Sequence, residues 1–265
     1  MIQRFSIFVW LLLIVAACQS DNNIIPTLAN PEAIATGFIL TENAPPTGYD
    51  TVSFSRIDAN LEELAGWRYE MEFEFIGRFA RTPREANART QATVSYQQLS
   101  SSRRVIAQIQ QDLQGESEPF QYEGVRLGPD TFLVRDGVCL TNAGTDAAVV
   151  ADLSAGDIVG GVEIATTAAQ KQVINGVQVW RYDFDLEALR LPNNVMFGDD
   201  SVILSLVHEL WVAPEYDAVV RYYVTMEVEN VIVNESPLPV SGSLIIRYDL
   251  YDIGLVPNIN IPFGC

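Results

Sequence analysis

WRYEMEFEFIG, Trp67 to Gly77, decides the fold. Glu70, Glu72 and Glu74 alternate with Met71, Phe73 and Phe75. A period of two puts successive side chains on opposite faces of a pleated strand, so one face is acidic and the other apolar. A helix of the same composition would scatter these carboxylates around its circumference. The segment therefore reads as a half-buried strand.

The pattern recurs along the chain. TVSYQQL (Thr93 to Leu99) and RRVIAQIQQ (Arg103 to Gln111) suit the strands that follow. TFLVRDGVCLT, Thr131 to Thr141, reads as a hairpin turning at Asp136-Gly137, a pair that tolerates the positive φ angles of tight hairpin turns. VQVWRYDFDL sets Trp180, Tyr182 and Phe184 against Arg181, Asp183 and Asp185. Ser201 to Val212 is a more apolar strand. VVRYYVTMEVEN sets Tyr222, Val224, Met226 and Val228 against Tyr223, Thr225, Glu227 and Glu229. SLIIRYDLYDI does the same with Leu244, Ile246, Tyr248 and Leu250.

Two helices are expected. IDANLEELAG, Ile57 to Gly66, has Asp58 to cap it and Gly66 to end it. Ala151 to Ala169 is the second, weakened by Gly156, Gly160 and Gly161 at up to about 1 kcal/mol each, so that two shorter pieces are the alternative. A run of eight or more antiparallel strands with few helices must still cover its apolar face. Curling the sheet around the helices does so economically. The expected class is α+β, mainly antiparallel β: a strongly curved sheet, or half-barrel, with a few helices over its concave face. No fixed-period repeat is evident, which argues against a propeller or solenoid.

The composition bounds the function. The chain has 265 residues, 48% hydrophobic and 19% charged, with a formal net charge of −18. Such acidity repels nucleic acid phosphates and argues against broad adhesion to anionic lipid heads. One domain over 47–265 is expected, preceded by a tether over 18–46 that contains Pro26, Pro31, Pro45 and Pro46.

The first 17 residues have the layout of an export signal: Arg4, then an apolar run from Ile7 to Ala17, well short of the roughly 20 residues a membrane span needs. Val15-Ala16-Ala17-Cys18 resembles the lipobox of bacterial lipoproteins. The resemblance implies cleavage before Cys18, a diacylglycerol thioether on its sulfur with palmitate-type acyl chains, and a lipid-anchored location on the extracytoplasmic face of a membrane. Val15 departs from the commoner Leu, and an ordinary signal with a chance cysteine is the alternative. With Cys18 lipidated, Cys139 and Cys265 remain as a pair. In an oxidising compartment they form a disulfide, the alternative being two free thiols.

The strand layout behind a lipobox is similar to the LolA/LolB-like and LppX/LprG-like lipoproteins. The matching features are a short helix before the first long strand, a mid-chain helical segment, the run NGVQVWRYDFDL and the run HELWVAPEYDAVVRYYVTMEVE. The closing YDLYDIGLVPNINIPFGC completes them. The resemblance spans roughly residues 57–265 and implies a cavity for acyl chains between sheet and helices. The candidate lining is Met71, Phe73, Phe75, Trp180, Tyr182, Phe184, Tyr222, Val224, Met226, Ile246 and Tyr248. The same residues in a filled core are the alternative, with the chain then serving as a structural or protein-interaction module of the envelope.

Catalytic chemistry finds little support. His208 is the sole histidine, and it sits in a strand-like segment. Asp199-Asp200 and Asp249 with Asp252 are acidic pairs without an ordered ligand loop, as expected of solvated faces. No nucleophile elbow, phosphate-binding loop or dinucleotide fingerprint appears. Asn234-Glu235-Ser236 matches a glycosylation sequon that a bacterial lipoprotein has no use for. The expectation is a monomeric, non-catalytic protein without metal or cofactor, whose partners are a membrane, through Cys18, and a lipid or other hydrophobic ligand.

Overall fold

The computed structural model describes residues 42–113 and 118–265; the signal segment, Cys18 and the tether as far as residue 41 lie outside them. Thirteen strands among the described residues form one large, open, curved sheet. They are β1 (Thr51–Phe54), β2 (Gly66–Phe79), β3 (Glu85–Gln97), β4 (Ser102–Gln111), β5 (Phe120–Leu127), β6 (Asp130–Arg135) and β7 (Val138–Cys139). After a helical interval come β8 (Gly161–Ile174), β9 (Val177–Asp183), β10 (Leu189–Arg190), β11 (Val195–Ala213), β12 (Ala218–Val233) and β13 (Val240–Tyr251). The order across the sheet is β1-β8-β9-β11-β12-β13-β2-β3-β4-β5-β6-β7, with β10 added to β8. Every pairing is antiparallel. The β13–β2 pair joins the late strands to the early ones at the middle of the sheet.

The alternation in β2 produces the expected faces. Tyr69, Met71, Phe73 and Phe75 are buried while Glu70, Glu72 and Glu74 face outward. The Asp136-Gly137 turn forms as read, with φ of 48° and 82°.

Three expectations about local structure are corrected. Residues 57–66 hold only a turn and a 3-10 helix, Leu61–Glu63, because Asn60 takes a left-handed conformation (φ 66°) and breaks the helix before it starts. Asp58 caps a different helix, described below. The segment Ala151 to Ala169 is helical only in part: α1 (Gly144–Ala151) precedes it, α2 (Ala155–Val159) lies within it, and everything from Gly161 onward is β8. Val162, Ile164, Thr166 and Thr167 favour a strand. The missing alternation is explained by an irregularity between Thr167 and Lys171, where Ala169 has φ 51°. Asn175-Gly176, both at positive φ, then turns β8 into β9. The strand expected over Ser201 to Val212 runs longer, from Val195 to Ala213.

The cover of the inner face is slight. α2 packs on β2 and β13, and α1 on β4, β5 and β6. Gly124 in β5 admits α1: a Cβ there would lie 2.8 Å from Val150 Cγ1 and 2.9 Å from the Ala151 nitrogen. After β13 the chain forms a strap. Gly254 N donates to the Gly66 carbonyl, and the strap passes so close to Gly66 that a Cβ there would meet the Leu255 oxygen at 2.3 Å. The strap ends at Cys265, which is disulfide-bonded to Cys139 of β7 with Cα atoms 5.4 Å apart. No helix among the described residues is long and apolar enough to cross a membrane.

Candidate functional site

The sheet register gathers the candidate lining residues into rows. Met71, Tyr248, Tyr222, Leu210 and Tyr182 are successive cross-strand partners over β2, β13, β12, β11 and β9. Phe73, Ile246, Val224 and His208 make the next row, and Phe75, Leu244, Met226 and Leu206 the third. Trp180 and Phe184 flank Tyr182 on β9 and the residues just after it. All the candidates are at most 9% exposed and belong to one continuous apolar cluster. Period-two sequence put each on the correct face of its strand; register alone aligned them into rows.

Tyrosine hydroxyls tie this face to what covers it. Tyr69 OH donates to the Leu153 carbonyl at 3.3 Å and accepts from Ala155 N at 3.2 Å. Tyr182 OH donates to the Tyr49 carbonyl at 2.7 Å, and Tyr222 OH to the Gly161 carbonyl at 3.3 Å. Tyr248 OH is fully buried and has no hydrogen-bond partner among the described residues. Burial raises the pKa of each of these phenols, so they stay neutral at any physiological pH.

Asp58 pins the cover. Its Oδ2 accepts from Ser154 Oγ at 2.7 Å and Ala155 N at 2.8 Å, and its Oδ1 from Gly156 N at 3.0 Å. A carboxylate placed on the first backbone donors of α2 caps the helix from a distant part of the chain.

His208 lies at the end of the second row, stacked on Phe184 with ring centroids 4.0 Å apart. Burial lowers its pKa, and its Nδ1 has no hydrogen-bond partner among the described residues. Asp249 and Asp252 are engaged on the outer face. Asp249 accepts from Arg221 Nε at 2.8 Å and from the Tyr223 hydroxyl, and Asp252 from Arg68 Nε at 2.9 Å. Asp199 and Asp200 are exposed.

Several clefts border the sheet, two of them lined by charged side chains of interest. A groove of about 550 Å³ on the outer face is lined by Glu70, Glu72, Gln91, Tyr223, Arg247 and Asp249. Glu72 accepts there from Arg89, from Gln91 at 3.0 Å and from Arg247 at 3.3 Å. A second cleft, of about 600 Å³, lies between the 3-10 helix and the α1–α2 junction, with Arg56, Trp67, Arg103 and Arg126 on its walls. Sequence reading missed this second site. The available signal was Arg103, which shares its strand parity with apolar Val105 and Ala107.

No family model matches the sequence, and no curated protein matches it. Among solved structures, the chain is similar to LprF from Mycobacterium bovis at 12% identity and a TM-score of 0.36, covering 88% of this chain and 98% of that one. It is similar to a DUF1329 family protein from Desulfovibrio piger at 8% identity and TM-score 0.22, covering 83% and 91%. A LolA superfamily protein from Nitrosomonas europaea is similar at 9% identity and TM-score 0.21, covering 78% and 96%.

Proposed function

We propose that this chain is a lipid-anchored, extracytoplasmic envelope protein, held to the membrane through Cys18, that binds or carries a lipid or other hydrophobic ligand between its curved sheet and the cover. The observation that carries the reading is the disproportion between the two layers. Three rows of side chains, apolar except for His208, extend across β2, β13, β12 and β11, and the helix packed on β2 and β13 has five residues. Displacing so slight a cover would open a face on which each acyl methylene gains about 0.8 kcal/mol by leaving water. Methionines such as Met71 and Met226 adapt to irregular ligands. A second reading, a non-catalytic structural or protein-interaction module with a filled core, is favoured by the hydroxyl ties of Tyr69, Tyr182 and Tyr222, which fasten the cover in place.

Native mass spectrometry of delipidated protein incubated with bacterial lipid extract separates the two. Lipid adducts on the folded protein are expected from a carrier; an adduct-free spectrum supports the filled module and ends the carrier reading. The anchor is tested separately: Cys18→Ser should move the protein from the membrane fraction to the soluble fraction.

A further inference from the structure

We propose that the cleft walled by Arg56, Trp67, Arg103 and Arg126 is a binding site for a phosphate-class oxyanion, with Arg103 as its principal ligand. Arg103 and Arg126 are direct cross-strand partners on β4 and β5, on the inner face of the sheet. Like charges placed opposite each other on neighbouring strands repel, and such a pair persists where negative charge compensates it. Arg126 has its compensation in an ion pair with Asp152. Arg103 has none. It is 8% exposed, and among the described residues no carboxylate pairs with it. Its Nη2 donates to the Tyr69 hydroxyl at 3.1 Å and to the Leu153 carbonyl, both uncharged. Its Nε finds no acceptor among the described residues. A buried guanidinium without a counter-charge is costly, and an oxyanion supplies what it lacks.

The cleft also holds Trp67, two further arginines and four carboxylates, and their positions decide where an anion can sit. The Trp67 ring lies 5.6 Å from the Arg103 guanidinium carbon and holds one side of it. Arg56 is exposed at the mouth, donates to Ser154 Oγ and lies 3.7 Å from Asp58 Oδ1. Asp58 is held by Ser154, Ala155 and Gly156 and lies beside Arg56, and Asp152 pairs with Arg126, so neither forms a direct ion pair with Arg103. Glu62 and Glu63 are exposed on the rim and oppose an anion, which favours a ligand seated deep beside Arg103 over one held at the mouth. A planar fork of N–H donors matches phosphate oxygens. The overall charge of −18 repels anionic surfaces, so recognition here is of a single group and not of a membrane.

The oxyanion has two sources, a lipid headgroup or free phosphate, and one experiment distinguishes them. The ¹⁵N-labelled protein is titrated with inorganic phosphate, with monomeric dihexanoyl phosphatidylglycerol and with dihexanoylglycerol, each at matched ionic strength in chloride. The Arg103 Nε–Hε resonance is followed. A saturable shift with inorganic phosphate establishes the site for free phosphate. A saturable shift with the phospholipid alone, absent with dihexanoylglycerol, establishes it for a headgroup. No saturable shift with either phosphorylated probe overturns the proposal. Arg103→Gln should weaken binding by about tenfold or more, and undiminished binding by a folded Arg103→Gln also overturns it. Should that variant not fold, exposed Arg56→Gln replaces it with an expected severalfold loss, and unchanged affinity counts against the site. The inorganic phosphate arm does not depend on acyl binding, so its outcome and that of the lipid-adduct experiment are read separately.

Discussion

Tyr69 and Tyr248 are neighbours on adjacent strands, with ring centroids 5.3 Å apart, yet their hydroxyls have opposite fates. Tyr69 serves Leu153, Ala155 and Arg103, whereas Tyr248 serves none of the described residues. A buried hydrogen bond is worth about 1 kcal/mol net, and a buried polar group left unpaired costs about as much or more. Tyr69→Phe should therefore lower stability by about 1–3 kcal/mol, while Tyr248→Phe should be neutral or stabilising; urea denaturation midpoints measure both. His208 gives a pH dependence. Its folded pKa lies below the usual 6.5 because burial disfavours the imidazolium. The unfolded chain then binds the proton more readily, so this contribution to stability is complete above about pH 6.5 and is lost as pH falls through the depressed folded value. Between pH 7.5 and 5 the wild type should lose stability faster than His208→Gln. Parallel denaturation profiles of the two proteins would contradict the assignment.

At the scale of elements, α2 exists because another segment completes it. Five residues cannot sustain a helix in water, since nucleation outweighs the few bonds gained. Ser154 accepts from Gly156 N at 3.1 Å, and the Asp58 carboxylate satisfies two backbone donors and Ser154 Oγ besides. Asp58→Ala should cost about 2 kcal/mol, with amide hydrogen exchange rising first over residues 154–160. Exchange that rises uniformly across the sheet would argue against a local cap. The same residue shows where sequence reading stopped. Asp58 was legible as a cap, but its nearest downstream helix pattern was the wrong one; the true helix lies about a hundred residues further on. β8 was illegible for a related reason, because its irregularity around Ala169 erased the alternation that marked the other strands.

The disulfide acts on the whole molecule. Cys139 and Cys265 are 126 residues apart in sequence, and their bond fastens the strap to the sheet's far edge. Closing so long a loop restricts the unfolded chain by about 4–5 kcal/mol at most. The Cys139→Ala, Cys265→Ala double variant should lose several kcal/mol in guanidinium denaturation while keeping its strand content; an unchanged midpoint would show that the strap contributes little. The faces of the regularly alternating strands were determined by sequence alone. From Glu70-Met71-Glu72-Phe73 to Ile246-Arg247-Tyr248-Asp249, alternation decides which side meets water, because a pleated backbone has no other period. Cysteine number and the short apolar leader raised the expectation of a disulfide and of an envelope address, and the structure joins Cys139 to Cys265. The rows of the inner face, the capping of α2 by Asp58 and the meeting of Arg103 with Arg126 were decided only by the tertiary structure. Each depends on strand register and on contacts between distant segments, and a one-dimensional pattern specifies the face of a residue but not its neighbour across the sheet.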